Sequence, residues 1–290
     1  MTIAFYCTQS TILLVWYFLC IFAFLFCTYM ALAFQQPISI NGNVYFASDF
    51  HLGVPNREES NCREQKIISW LEEIKSDCTH LFLLGDIFDY WFEYKDVVPR
   101  GYYLLFAKLH EMHERGITIY YFTGNHDMWV QDYFSTEFGA IVFKQQQAFI
   151  INGKKCLVGH GDGLGPKDHG YKFIKAVFAF RPNRKLYSCL HPRHSFAIAR
   201  FFSRKSRAMT STEEEHYMGD DKEFIVLYCK ETVKNEDIDY FIYGHRHLVI
   251  EKKIGDKAIY FNTGDWITHF SYLVFPETGK PQLQTYSNLD

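Results

Sequence analysis

No charged side chain precedes Asp49 in this sequence, and the residues from Thr11 to Phe34 (TILLVWYFLCIFAFLFCTYMALAF) are almost unbroken apolar. A run of about 20 apolar residues is long enough to cross a bilayer. It exceeds a secretory h-region and has no Lys or Arg ahead of it, which argues against a cleaved signal peptide. Two readings of residues 1–36 follow. One is a membrane anchor that leaves the rest of the chain cytoplasmic. The other is a start assigned too far upstream, with Met30 as the true first residue; the mass of the intact native protein separates them.

Other features are missing too. None of the eight cysteines stands in a CxxC pair. A cysteine-based zinc site is therefore not expected, and free thiols in a reducing compartment are. The formal charge is only -3, which gives no global reason to expect nucleic acid as a partner. There is no internal repeat, and no low-complexity tract outside the N-terminal run. With 290 residues, the chain suits one large domain or one domain carrying an insertion.

What is present is apolar and aromatic: 28 Phe and 20 Tyr, enough for a packed core with some greasy surface left over. From Gly42 onward the pattern is strand, loop, helix. Short apolar runs at 44–47, 80–84, 117–122, 156–158 and 240–243 each lead into Ser48-Asp49, Gly85-Asp86, Gly124-Asn125, Gly159-His160 or Gly244-His245. Such runs read as buried strands. The polar motifs then fall just past strand C-terminal ends, where the loops of an open α/β sheet converge on a site. Helical spacing appears at 63–75 (Ile67, Ile68, Leu71, Ile74) and 102–115 (Leu104, Leu105, Leu109, Met112), and hairpins are expected in 248–286, broken at Gly255-Asp256 and Thr278-Gly279.

Residues 164–212 stand apart, with eleven Lys or Arg against the single acid Asp168, interleaved with Phe and Ile. Pro182 and Pro192 divide them into short helices. This is read as an inserted helical cap.

The polar motifs are Asp49-Phe50-His51, Asp86 in Gly85-Asp86-Ile87-Phe88-Asp89, Asn125-His126-Asp127, His160 in Gly159-His160-Gly161-Asp162, and His245-Arg246-His247. Taken singly, each has a bland reading: Asp49 as a helix cap, His160 as a core histidine, His245 and His247 as one face of an exposed strand. Five in this order, each after an apolar run, outweigh those readings. Oxygen and imidazole donors without thiolate suit Mn²⁺, Fe²⁺ or Zn²⁺.

The series DxH, GDxxD, GNHD, GH and GHxH resembles that of the calcineurin-like metallophosphoesterase superfamily, over residues 44 to about 270. The resemblance implies an α/β (α+β) four-layer αββα sandwich with an inserted helical cap. The metallophosphoesterase domain would comprise 37–163 and 213–290, and the cap 164–212. It implies one ion on Asp49, His51, Asp86 and His247 and another on Asp86, Asn125, His160 and His245, with Asp86 bridging. His126 would act on the leaving oxygen as general acid or charge stabiliser; Asp127 would orient that imidazole or serve as a turn residue.

Two features narrow the substrate. TGNHDMW and HGDGLGPKD followed by Tyr171 resemble the UDP-2,3-diacylglucosamine pyrophosphatases of lipid A synthesis, although His126 replaces the Arg of the better-known GNRD branch. The basic, aromatic cap also suits an anionic lipid or the inner-membrane surface, unless its Phe rows simply pack inward. The reaction implied is hydrolysis of UDP-2,3-diacylglucosamine to UMP and 2,3-diacylglucosamine 1-phosphate at the cytoplasmic side of the inner membrane. Two divalent ions, Mn²⁺ first, would serve it. Lys167, Asp168, Tyr171, Lys172 and Lys222 are the expected substrate contacts, and no obligate protein partner is expected. The competing readings are a phosphoesterase acting on another soluble nucleotide, phosphodiester or phosphoprotein, and an inactive scaffold on the same fold.

Overall fold

The computed structural model describes residues 36–165, 169–199, 203 and 216–287. The apolar segment Thr11–Phe34 and the candidate contacts Lys167 and Asp168 lie outside the described residues. No helix among the described residues is long and apolar enough to cross a membrane.

The five apolar runs are strands, and they are shared between two six-stranded sheets. One sheet has the order β12 (Gln282–Thr285), β11 (Ser271–Phe275), β2 (Val44–Ala47), β3 (His80–Leu83), β4 (Thr118–Phe122), β5 (Ile141–Phe143). The other runs β1 (Ile38–Ile40), β6 (Gln147–Ile151), β7 (Lys154–Val158), β8 (Tyr240–Tyr243), β10 (Ala258–Thr263), β9 (Val249–Ile254). Strands β2 to β5 are mutually parallel, as are β7, β8 and β10. Both hairpins expected in the tail are present, as β9–β10 and β11–β12.

Strand periodicity assigns the layers. Val44 and Phe46 of β2, Phe82 of β3, and Tyr120 and Phe122 of β4 pack against Phe149, Val158 and Ile242 of the other sheet. The alternate residues Tyr45, Ala47, Leu81, Leu83, Ile119 and Tyr121 turn the other way, onto helices α1 (Arg57–Ile74), α2 (Tyr103–Glu114) and α3 (Tyr133–Phe138). On the far side, Leu157, Phe241 and Tyr243 meet Ile225, Val226 and Cys229 of α6 (Phe224–Thr232). Successive side chains point to opposite faces, so both faces of both sheets are covered. The architecture is the four-layer αββα sandwich.

Helix α1 starts six residues before the expected Arg63. Its apolar period begins only at Ile67, while its first turns are polar and are set by Asn56, whose side chain accepts the Glu59 amide at 3.0 Å. The short strands β1 and β5 and the strand β6 were not anticipated. The β6–β7 turn is Asn152-Gly153, both at positive φ, which is a strong hairpin signal.

Between β7 and α6 the chain forms α4 (His169–Ala179), α5 (Arg181–Ser188) and a helical stretch at 192–199. Tyr187 packs inward against Phe92 and Trp129, and Phe196 against Tyr90. The Trp129 indole donates to the carbonyl of Phe178 at 3.1 Å. Phe173 and Phe180 face outward instead, at 62% and 58% exposure.

Candidate metal centre

The parallel pairing of β2 with β3 continues past the strand ends and brings the first two motifs side by side. The amides of Asp49, His51 and Leu52 donate to the carbonyls of Gly85, Asp86 and Ile87 at 3.0, 2.9 and 3.0 Å. Buried Arg63 of α1 steadies the same loop, its Nη1 donating to the carbonyls of Phe50, His51 and Val54. Gly85 sits at φ 93°, and a Cβ there would meet the Gly124 amide nitrogen at 2.6 Å; one on Gly124 would run into Asp86 Oδ1. These two glycines let the Asp86 and Asn125 loops touch.

Five of the candidate ligands, Asp49, His51, Asp86, His245 and His247, hold a left-handed backbone with φ between 44° and 71°. Each costs about 1 kcal/mol and persists only where its surroundings over-determine it. Here the surroundings are hydrogen bonds between motifs. Asp49 Oδ2 accepts from the His245 amide at 3.0 Å and from the Ser48 hydroxyl. Asp86 Oδ1 accepts from the His126 amide at 2.8 Å. Each carboxylate thus spends one oxygen on backbone and turns the other inward.

The inward atoms form two groups. Asp49 Oδ1 lies 3.4 Å from His247 Nε2 and 3.7 Å from His51 Nε2, and the two imidazole nitrogens are 3.1 Å apart. Asp86, His160 and His245 make the second group, with Asn125 Oδ1 3.2 Å from His160 Nε2. Asp86 Oδ2 stands between them, 3.8 Å from His51 Nε2 and 3.4 Å from His160 Nε2. Asp49 Oδ1 is fully buried with no hydrogen-bond partner among the described residues. A bare buried carboxylate oxygen facing imidazole nitrogens is a costly arrangement, and a bound cation removes that cost. The donor set therefore fits divalent metal.

The outward nitrogens support this reading. A carbonyl oxygen can only accept, so His160 Nδ1 donates to Leu84 O at 2.8 Å and leaves Nε2 as the nitrogen that can face a metal. His247 Nδ1 lies 3.6 Å from Asp265 Oδ2. Burial by itself lowers His160, but the adjacent Asp86 carboxylate carries it up to about 10. Burial, reinforced by neighbouring imidazoles, lowers His51 and His245 to about 4. Burial would raise Asp49 and Asp86; the histidines around them hold both well below the usual carboxylate range.

His126 faces the same space, its ring 4.9 Å from that of His51. Its orienting partner is Asp89, whose carbonyl accepts from His126 Nδ1 at 2.8 Å. Of the two readings of Asp127, the geometry favours the turn residue over the one that orients the imidazole. The Asp127 carboxylate instead accepts from the Gly124 and Ile87 amides and the Tyr121 hydroxyl, as a turn residue does. Among the described candidate contacts, Tyr171 donates to Asp162, Lys172 Nζ donates to the Gly165 carbonyl, and Lys222 is exposed. Sequence reasoning quoted Asp89 and Asp162 within their motifs without giving them a role, and missed Arg63, Glu223 and Asp265. Asp265 was findable, since it follows β10 in Thr263-Gly264-Asp265 just as Asp86 follows β3.

The fold and this donor set define a metal-dependent phosphoesterase. The chain belongs to the calcineurin-like phosphoesterase family, whose sequence model matches residues 42–249. It is 32% identical to the UDP-2,3-diacylglucosamine hydrolase of Porphyromonas gingivalis, over 82% of this chain and 96% of that protein. With the UDP-2,3-diacylglucosamine hydrolase of Photorhabdus laumondii it shares 26% identity, over 81% of this chain and 95% of that one. Among solved structures, a phosphoesterase from E. coli aligns over 80% of this chain and 87% of that one, at 15% identity and a TM-score of 0.39; so slight a likeness carries no argument.

Proposed function

We propose that this protein hydrolyses the diphosphate of UDP-2,3-diacylglucosamine, releasing UMP and 2,3-diacylglucosamine 1-phosphate. The observation that carries the phosphoryl chemistry is the place of Asp86 Oδ2 between two groups of inward donors. The two relatives, both UDP-2,3-diacylglucosamine hydrolases, supply the substrate. In this reading Asp49, His51, Asp86 and His247 hold one divalent ion, and Asp86, Asn125, His160 and His245 the other, with Mn²⁺ the first choice for oxygen and imidazole donors. When bound, such a pair supplies Lewis-acid stabilisation of phosphoryl oxygens and acidifies water for in-line attack.

The chain's own residues do the rest. With Nδ1 committed to the Asp89 carbonyl, His126 in its protonated form donates from Nε2 to the oxygen leaving the α-phosphorus. The Asp127 carboxylate holds the turn that presents His126. Tyr171 and Lys172, beside the loop that follows His160, serve as substrate contacts together with Lys167, Asp168 and Lys222. The outward Phe173, Ile174 and Phe180 among basic residues suit acyl chains and the cytoplasmic face of the inner membrane.

The test is incubation with UDP-2,3-diacylglucosamine and Mn²⁺, with and without a chelator, following UMP. Chelator-sensitive release of UMP supports the reading. No UMP, alongside robust cleavage of soluble nucleotides, overturns it.

A further inference from the structure

Asp162 lies two residues past His160 in the loop leaving β7, and its carboxylate is buried at 6% exposure. Its Oδ2 accepts from the Tyr171 hydroxyl at 2.5 Å and from Lys175 Nζ at 2.6 Å. Tyr171 and Lys175 are one helical turn apart on α4, so they share a face. A single carboxylate from the metal-ligand loop therefore grips two side chains of the first cap helix. Gly163 and Gly165 lie close to α4 as well: a Cβ on Gly163 would meet the Tyr171 ring at 3.4 Å, and Lys172 Nζ reaches the Gly165 carbonyl. On its other side Asp162 acts electrostatically on His160 and His245.

A buried carboxylate is costly unless it is paired and hydrogen-bonded, and here both partners come from α4. We infer that Asp162 is a positioning residue, a clamp that seats α4 against the metal centre and fixes the hydroxyl of Tyr171 beside it. The clamp serves a substrate large enough to reach the cap and is dispensable for a small soluble diester. This inference rests on the reading that the cap engages a lipid-linked nucleotide.

The experiment compares Lys175→Met and Asp162→Asn, singly and combined, in the metal-loaded full chain. Each single variant should raise KM for UDP-2,3-diacylglucosamine about tenfold, the worth of a charge-assisted hydrogen bond, with kcat nearly unchanged. The double variant should be no worse than either single one, because the two residues act as one contact. In Lys175→Met, ion content and hydrolysis of bis(p-nitrophenyl) phosphate should stay as in the wild type, and amide exchange across α4 should quicken. Unchanged α4 exchange and unchanged KM in Lys175→Met overturn the clamp. So does additive loss in the double variant. If the wild type releases no UMP from the lipid substrate, the reading of function falls, while the exchange result still judges the clamp.

Discussion

The backbone carbonyl of Asp89 accepts a hydrogen bond from Nδ1 of His126 at 2.8 Å. This contact fixes which nitrogen of the imidazole is free to act, since a carbonyl takes a proton and never gives one. His126→Ala should lower kcat by about 10²–10⁴, the usual worth of a positioned general acid, and leave the ion content intact. The loss should shrink for p-nitrophenyl esters, whose leaving oxygen needs little help. Metal analysis run beside the kinetics checks it; loss of ions would make His126 a ligand.

Asp86 and His247 should differ in what their loss removes. Asp86 Oδ2 faces both donor groups, whereas His247 Nε2 faces Asp49 and His51 in one of them. Asp86→Ala should retain far less than one ion per chain, and His247→Ala about one. Elemental analysis of the two purified variants separates them.

Proton release should accompany metal binding. In metal-free protein His160 is lowered by burial but raised more strongly by Asp86, to about 10 from 6.5. A folded pKa above the unfolded one contributes stability that is complete below about pH 6.5 and is lost as pH rises through about 10. A cation on the same carboxylate competes with that proton, so loading at pH 8 expels it. Calorimetry in two buffers of different ionisation enthalpy should register about one proton more for the wild type than for His160→Gln. Equal release from both would show that His160 keeps its proton or carries none.

Glu223 and Arg246 join the start of α6 to the loop bearing His245 and His247. Arg246 donates to Glu223 from Nε at 2.9 Å and from Nη2 at 3.0 Å, and also to the His216 carbonyl. Breaking a buried pair leaves an uncompensated charge, so Glu223→Gln should lower stability by about 3 kcal/mol and metal affinity about tenfold. Urea unfolding and metal titration of this variant measure the two effects.

Much of the site was legible because its chemistry is local. Each motif follows a run of apolar residues that can only be a buried strand, and a short loop after a buried strand can only reach the sheet edge. The cap's basic, Phe-rich composition was equally plain. What was not legible is where each carboxylate oxygen goes. Asp127, adjacent to His126 in sequence, turns away to Ile87, Tyr121 and Gly124, whereas Asp89, 37 residues off, holds the imidazole. Sequence adjacency left Asp127 open between orienting the imidazole and holding the turn, because it does not say which way neighbouring residues in a tight turn point. The β6–β7 hairpin was missed for a simpler reason, its Asn152-Gly153 turn signal having gone unused.

The sequence by itself determined the donor types, their order and their places after strand ends, because these follow from residue chemistry and apolar patterning. The tertiary structure alone decided the pairing. Asp49 Oδ1 meets His247 Nε2 at 3.4 Å although one belongs to the loop after β2 and the other to the loop after β8, in different sheets. Only the stacking of the two sheets through Phe46, Phe82, Phe122 and Phe149 aligns those loops. Likewise, only the packing of α4 brings Lys175 onto Asp162. Contacts between distant segments depend on register and burial across the whole core, which no local spacing encodes.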